Sequence, residues 1–407
     1  MLLLDCRHVW TVVRFAFLLI LAMTIGAYLA ILLWHTLFND PDSWTLSNFH
    51  LSLQASLRAW ITPVTFVDAN FRRALRMDKP SPRSLPVHFV LHVGDRPKKR
   101  NSLSPQVLLS AAQRCSIESA LRVCEHATVW MVGEESDHIS SDDLAAWASW
   151  RRAISRRRLG TLTVRSHRFH ASSSIGHWLL ARGASLRVNT SDWKRRGWPS
   201  YPALVSDLVR LDVLEAAALD AAAGDPAGGP RGGGAIYLDL DVIVLHSDLL
   251  LLPEGFALQV PTSQLGLPFR LGSLADFVLF RGGGLTLRRL HEACNGAVLI
   301  SRSAHASVPK AIARSALESW VAWNFSGEWG IIGPRATTQA WVKYSDQLGA
   351  DFRLYSPETF GFVTCGRHGG GVSLISSSRQ EAEECVAFST SSLPLDDDQV
   401  SIPFPPC

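Results

Sequence analysis

A glycine-rich turn followed by an apolar stretch with two aspartates is the feature that most constrains the fold of this chain. It reads Gly232-Gly-Gly-Ala-Ile-Tyr-Leu-Asp-Leu-Asp-Val-Ile-Val-Leu245. In a strand over 235–245, side chains alternate, so Tyr237, Asp239 and Asp241 share one face. Two carboxylates about 6.5 to 7 Å apart along a strand are suited to share one divalent cation. We therefore predict a metal site at Asp239 and Asp241.

The same Asp-x-Asp triplet also has a simpler interpretation, a strand end with two solvated carboxylates. Two observations favour the cation. Like charges within an apolar run repel each other and are costly to bury unless a cation neutralises them. The glycines before the strand also allow the backbone to approach a ligand closely.

Composition sets the size of the folded part and excludes one class of partner. A chain of 407 residues with 47% hydrophobic residues is sufficient for one large or two ordinary domains with a real core. The formal net charge is +4, and the basic residues are scattered or lie in short runs. Because no extended basic patch follows from this distribution, we predict no nucleic-acid partner.

An uncharged apolar segment near the N-terminus predicts a membrane anchor. Phe15 to Trp34 spans about 20 residues, the length that a helix needs to cross a bilayer. Arg7 and Arg14 precede it and Asp40 follows it, so the positive-inside rule places the N-terminus in the cytoplasm. We predict a single-pass type II protein; a cleaved signal peptide is the alternative.

The composition divides the chain into five predicted regions. They are a cytoplasmic tail at 1–14, an anchor at 15–34, a stem at 35–84, a globular domain at 85–355 and a Ser-rich, acidic tail at 356–407. Six of the seven cysteines then lie in an oxidising lumen. Proximity along the chain suggests Cys115 with Cys124 and Cys365 with Cys385 as disulfides.

Alternating patterns within the globular region predict a parallel α/β sheet. Buried strands are expected at Val87–Val93, Ala127–Val132 and Thr161–Val164. A helix is expected at Cys115–Val123, between the first two strands. The order strand, helix, strand is typical of parallel α/β folds.

A further helix is predicted over Tyr201–Leu219, where apolar residues recur at helical spacing, with Ser206 or Asp207 at its start. Asp207 and Arg210 are three residues apart and therefore share a face. They are either a surface ion pair worth a few tenths of a kcal/mol or part of a site. The Ala/Gly/Pro-rich residues 221–234 that follow predict a flexible connection.

Several motifs resemble one enzyme family. Ser206-Asp-Leu-Val-Arg-Leu211, followed by the Asp-x-Asp stretch, is similar to the alpha-1,4-glycosyltransferases, which include lactosylceramide 4-alpha-galactosyltransferase and alpha-1,4-N-acetylglucosaminyltransferase. Cys115-Ser-Ile-Glu-Ser-Ala120, Asn295-Gly-Ala297 and Trp329-Gly-Ile-Ile-Gly-Pro334 occur in the family's order. The resemblance extends from about Phe89 to about Tyr344. It implies a GT-A-like domain with a Rossmann-like central sheet.

The resemblance also implies roles for individual residues. Asp239 and Asp241 are implied to bind Mn²⁺ or Mg²⁺ and the diphosphate of a UDP-sugar, and to act catalytically as charge develops on the departing UDP. The residues implied to contact the donor are Asp207, Arg210, Gly234, Tyr237 and Asn295.

The implied activity is transfer of a hexose with retention of configuration. Galactose is the first choice of donor sugar and N-acetylhexosamine the second. The acceptor is implied to be a lactosylceramide-like glycolipid or a glycoprotein glycan, joined in alpha-1,4 linkage at the Golgi membrane. Retaining hydrolases use a carboxylate nucleophile, but no residue is assigned that role here, and front-face displacement is the alternative.

Three departures from the family pattern leave other functions open. The segment 221–231 is an insertion, Ile331 and Ile332 stand where the family has polar residues, and a C-terminal His-Trp-Asn type motif is missing, with His368 as a substitute. Glu328 is a further carboxylate next to the Trp-Gly motif. A second hypothesis is therefore a catalytically silent lumenal protein that binds nucleotide sugar or a partner transferase. A third is a metal-dependent phosphohydrolase.

Overall fold

A computed structural model places most of the regular elements of the chain. The residues it describes are 14–24, 26–27, 50–51, 54–55, 58–59, 62–67, 70–71, 73–74, 85–93, 108–133, 141–157, 159–223, 234–244, 247–258, 293–302, 305–322, 330–348, 352–356, 359 and 387–389.

An eight-stranded mixed sheet forms the centre of the fold. The described residues form ten strands in all, which are β1 (Val64–Thr65), β2 (Val87–His92), β3 (His126–Val132), β4 (Thr161–Ser166), β5 (Ala235–Leu238), β6 (Val242–Val244), β7 (Gly255–Leu258), β8 (Cys294–Ser301), β9 (Arg353–Tyr355) and β10 (Ala387–Ser389). The sheet has the order β1-β9-β7-β8-β5-β2-β3-β4, while β6 and β10 form a separate pair. Strands β2 to β5 are mutually parallel where they pair, and β8 runs antiparallel to β5 and β7.

Helices cover both faces of this sheet. They are α1 (Ala111–Leu121), α2 (Ser141–Arg156), α3 (Ser174–Ala181), α4 (Thr190–Arg195), α5 (Pro202–Ala223), α6 (Ser307–Ala322) and α7 (Pro334–Lys343), with 3-10 turns at Ser247–Leu251 and Ser345–Gln347. Successive residues of β5 alternate between two cores: Tyr237 packs with residues of α5, α6 and α7, and Ile236 packs with residues of α1. Burial on both faces explains why β2 and β5 read as nearly continuous apolar runs.

The predicted parallel strands and helices are confirmed. The three expected strands correspond to β2, β3 and β4, and the two expected helices to α1 and α5. One detail was wrong, because α5 begins at Pro202 rather than at Ser206 or Asp207. Proline is favoured in the first turn of a helix, where its missing N–H costs no hydrogen bond.

The single strand predicted over 235–245 was wrong. Strand β5 ends at Leu238, and the chain turns through the Asp-x-Asp triplet, with the Val242 N–H donating to the Asp239 carbonyl at 3.0 Å. Strand β6 then pairs with β10 in the separate two-stranded sheet. The regular alternation of side chains therefore stops before Asp239.

Described elements of the structure lie outside the predicted domain boundaries at 85 and 355. Strand β1, within the expected stem, pairs in parallel with β9. Leu51, Ala55 and Val67 are buried, and β10 lies within the expected C-terminal tail. A two-residue strand such as β1 has no periodicity that a sequence pattern could detect.

The expected membrane anchor falls only partly on the described residues. Residues 14–24 and 26–27 are helical, and the rest of Phe15–Trp34 lies outside the described part. In the part of the chain that the structure describes, no helix combines the length and apolar character needed to cross a membrane.

One of the two suggested disulfides is wrong. Cys124 is a buried free thiol, while Cys115 is disulfide-bonded. Its partner lies outside the described residues, since the remaining described cysteine, Cys294, is also free. Burial raises the pKa of Cys124 to about 12, so this thiol stays protonated. The second suggested pair, Cys365 with Cys385, lies outside the described residues.

Candidate active site

The Asp-x-Asp turn lies at the point where the strand order of the sheet reverses. From β2 the chain adds β3 and β4 on one side, and β5 then pairs with the opposite edge of β2. Asp239 directly follows the carboxyl end of β5. In open α/β sheets, ligands bind outside the carboxyl ends of the strands at such a switch point.

The guanidinium of Arg210 connects the elements around this turn. Its Nη2 lies 2.8 Å from Asp207 Oδ1 and 3.2 Å from Asp239 Oδ1. Its Nη1 donates to the Gly296 carbonyl at 2.7 Å, and the group lies 4.7 Å from the centre of the Tyr237 ring. One side chain of α5 is therefore bonded to the turn after β5 and to β8.

Tyr237 also holds the Asp239 carboxylate in place. Its hydroxyl donates to Asp239 Oδ1 at 2.5 Å. Burial, followed by the charge of Asp239, raises the pKa of Tyr237 well above its ordinary value despite the opposing influence of Arg210. Tyr237 therefore remains a hydrogen-bond donor over the physiological pH range.

The charges at this site are closely coupled. Burial opposes the charged form of Arg210, but the acidic groups around it, with Asp239 foremost and Asp207 and Asp241 also contributing, raise its pKa above the ordinary value. Burial raises the pKa of Asp207 to about 6, and the charge of Asp239 acts in the same direction against the effect of Arg210. Three carboxylates thus surround one permanent cation, which leaves an excess of negative charge.

Two glycines allow this close packing. A Cβ atom at Gly333 would lie 2.5 Å from Asp207 Oδ2, and one at Gly296 would lie 2.9 Å from Arg210 Nη1. The Asn295 side chain is hydrogen-bonded to the backbone here: its Oδ1 accepts from the Ala297 N–H at 2.7 Å. Sequence reasoning missed both glycines as site residues, although the Asn-Gly and Gly-Pro dipeptides are recognised turn signals.

The structure brings six of the seven predicted site residues to the end of β5 and leaves Gly234 elsewhere. Asp207, Arg210, Tyr237, Asp239, Asp241 and Asn295 are at or next to this end. Gly234 precedes β5 at its opposite end, about 16 Å along an extended chain, and packs against the Ser301 carbonyl.

One of the three departures noted in the sequence, the pair Ile331 and Ile332, lies in the core. Ile331 and Ile332 are each only 2% exposed and pack in the core that contains α5, α6 and α7. Their side chains therefore do not replace ligand-facing polar groups. Glu328, His368 and the segment 224–233 lie outside the described residues.

The carboxylates fit a divalent cation only in part. Among the described residues, no group of three or more His, Cys, Asp or Glu side chains is arranged to hold a metal. Asp239 Oδ1 is already bonded to Tyr237 and Arg210. The excess negative charge of the three aspartates around Arg210 is suited to a hard cation whose remaining oxygen ligands come from substrate and solvent.

Comparison with known proteins gives fold-level similarity of low degree. Neither a family model nor a curated protein sequence matches the chain. A solved structure described as the PaToxG glycosyltransferase is similar at 13% identity and a TM-score of 0.32, covering 75% of this chain and 84% of that one. A second, described as a mutant transferase, is similar at 14% identity and a TM-score of 0.36, covering 66% and 87%. Similarity of this degree does not identify an activity.

Proposed function

We propose that this chain is a glycosyltransferase that uses a UDP-sugar donor bound at the end of β5. The observation that carries the proposal is the position of Asp239 and Arg210 at the switch point between β2 and β5. The ordered sequence motifs that resemble the alpha-1,4-glycosyltransferases support the same function. The surplus of carboxylates around Arg210 is suited to a metal-diphosphate ligand.

The proposed roles follow from the contacts. Asp239 and Asp241 would hold Mn²⁺ or Mg²⁺, and the bound ion would supply positive charge to offset that of the departing diphosphate. Tyr237 and Arg210 hold the Asp239 carboxylate in place by two bonds to its Oδ1. Asp207 in turn orients Arg210 through its ion pair at 2.8 Å. Because these side chains are fixed before the ligand arrives, little reorganisation is needed when charge develops.

The finer assignment rests on the family resemblance. We propose a retaining enzyme that transfers galactose, or an N-acetylhexosamine, in alpha-1,4 linkage to a lactosylceramide-like glycolipid or a glycan. Its setting is the Golgi membrane, with a single type II anchor and a lumenal catalytic domain. No side chain is assigned as a nucleophile.

A donor and acceptor screen tests this function. The full-length chain in detergent is incubated with Mn²⁺, lactosylceramide or simple galactosides, and UDP-galactose, UDP-N-acetylgalactosamine or UDP-N-acetylglucosamine. We expect Mn²⁺-dependent transfer, and a fall of about 100-fold or more in Asp241→Asn, since a lost electrostatic contact at a transition state costs 100- to 1000-fold. Transfer that persists unchanged in this isosteric variant contradicts the assigned site.

One observation favours the silent alternative. Asp239 Oδ1 is already satisfied by Tyr237 and Arg210, and the described residues supply no third metal-ligating side chain. A protein of this kind binds UDP without turning over any UDP-sugar. Calorimetric UDP binding together with the absence of both transfer and donor hydrolysis identifies that alternative.

A further inference from the structure

A cleft separate from the proposed active site lies between α3 and α6. Its volume is about 1020 Å³, and its lining includes Trp178, Arg182, Lys310, Arg314, Leu317 and Val321. Neither Arg210 nor the three aspartates around it contribute to this lining. The cleft is large enough for a ligand of ordinary small-molecule size, since such sites measure about 300 to 1000 Å³.

The two helices that form the cleft expose apolar surface. Outside residues 14–27, the large apolar side chains that are strongly exposed in the described part are Phe66, Leu180 and Val321, at 56%, 47% and 44%. Leu180 lies on α3, and Val321 on α6 lines the cleft itself. An exposed apolar side chain on the wall of a cleft is suited to contact the apolar part of a ligand.

Cationic groups stand on both sides of the cleft. The guanidinium carbon of Arg182 lies 3.9 Å above the Trp178 ring, whose own ring stacks on buried Trp320 at 5.4 Å. A guanidinium held on a fixed aromatic ring is already oriented to bind a carboxylate or phosphate. Lys310 and Arg314 line the opposite side, on α6.

The acidic groups nearby cancel only part of these charges. Glu318, the acidic residue that lines the cleft, contacts Arg314 at 3.2 Å, Lys343 at 3.4 Å and the Tyr344 hydroxyl at 2.5 Å. Lys310 interacts electrostatically with Glu215, which accepts bonds from Ser174 and does not line the cleft. The cleft therefore carries net positive charge over a mainly apolar floor.

We propose that this cleft binds one amphiphilic anion, a molecule with a single carboxylate or phosphate attached to an apolar chain. Arg182 and Lys310 bind the anionic group, and Leu317 and Val321 contact the chain. Fatty acids and lysophospholipids share this chemistry. The proposal does not depend on glycosyl transfer, because its residues are distinct from those at the end of β5.

Displacement of a dansyl-labelled fatty acid by monomeric oleate tests the site on the full-length protein. We expect Arg182→Gln and Lys310→Gln each to weaken oleate binding about tenfold, as expected for loss of a hydrogen bond to a charged group. Val321→Asp places a negative charge on the cleft wall at an exposed position and should weaken binding similarly. Arg195→Gln removes the same charge at an exposed side chain that does not line the cleft and should leave binding unchanged.

Each contrary outcome overturns the proposal. Equal displacement by oleyl alcohol shows that the anionic group is not recognised, and equal weakening by Arg195→Gln shows a general charge effect. Failure of both oleate and lysophosphatidic acid to bind, or binding only to phosphatidylserine vesicles, shows that no single amphiphile occupies the cleft. Lysophosphatidic acid in place of oleate distinguishes phosphate from carboxylate recognition. Circular dichroism melts confirm that each variant is folded.

Discussion

Helix α5 carries two charged clusters that differ in how far their carboxylates are exposed to solvent. The site cluster comprises Asp207 and Arg210 with Tyr237 and Asp239. The clasp cluster comprises Asp212 and Glu215 with His167, Ser173 and Ser174. Asp212 lies 2.9 Å from His167 Nε2 and also accepts from the Ser173 hydroxyl and the His170 N–H. Glu215 accepts from the Ser174 N–H at 3.0 Å.

The difference shows how one helix serves both structure and function. In the clasp cluster, Asp212 is 1% exposed and Glu215 2%, and both carboxylates meet the first turn of α3, where negative charge is favourable. In the site cluster, the Asp239 side chain remains 28% exposed and lies at the switch point. We infer that the clasp cluster maintains the fold and that the site cluster is available to a ligand.

The largest effect is expected from removing the charge of Arg210. Arg210→Gln leaves the carboxylates of Asp207 and Asp239 without their shared cation. We expect transfer to fall by about 1000-fold, measured as kcat/KM with the donor found in the screen. Arg196→Gln, which instead removes the ion pair between Arg196 and Asp192 of α4, is the matched control. A change of less than tenfold would place Arg210 outside the proposed chemistry.

Substitutions in the clasp cluster should lower the stability of the protein rather than its activity. Asp212→Ala leaves several buried donors without an acceptor, so we expect the free energy of unfolding to fall by about 3 kcal/mol. Chemical denaturation measures this loss, and transfer per folded molecule should stay near the wild-type value. A selective loss of kcat with unchanged stability would remove the distinction between the clusters.

The raised pKa of Asp207 predicts a pH effect from the site cluster. In the folded protein its pKa is about 6, against an ordinary value of 3.8, so the folded state binds the proton more tightly than the unfolded state. Ionisation therefore opposes folding, and stability should fall as pH rises from about 4 to about 6, by roughly 2 to 3 kcal/mol. Denaturation of wild type and Asp207→Asn across this range measures the difference. An identical pH dependence of stability in the two proteins would show that Asp207 is not its cause.

The smallest effect is expected from one glycine of the site. Gly333→Ala forces the Asp207 carboxylate to move, because the new Cβ would lie 2.5 Å from its Oδ2. The clash involves the end of a side chain, so we expect kcat/KM to fall about tenfold, or 1.4 kcal/mol, with the fold retained. Gly176→Ala is the contrasting variant, since its Cβ would meet the His170 backbone carbonyl and should reduce stability. Loss of stability in Gly333→Ala without a change in kcat/KM would show that Gly333 serves the fold rather than the site.

The sequence was sufficient to predict local elements such as strands, but not the contacts between residues that are far apart in the chain. Strands β2 and β3 were predictable because their buried residues form largely apolar runs. The partly exposed edge strand β4 was predictable because Thr and Val favour strands. The turn at Asp239 was not, since Leu240 sits within an aliphatic pattern and no Gly or Pro marks the turn. The pairing of His167 with Asp212 joins residues 45 apart in the chain. Only the folded structure brings such residues together.

UDP binding followed by isothermal titration calorimetry tests most directly whether the end of β5 holds a metal-diphosphate ligand. We expect binding that requires Mn²⁺, is lost in Asp241→Asn and Arg210→Gln, and persists in Asp212→Asn, the matched change in the clasp cluster. UDP binding of equal strength without Mn²⁺ and in all three variants would contradict it.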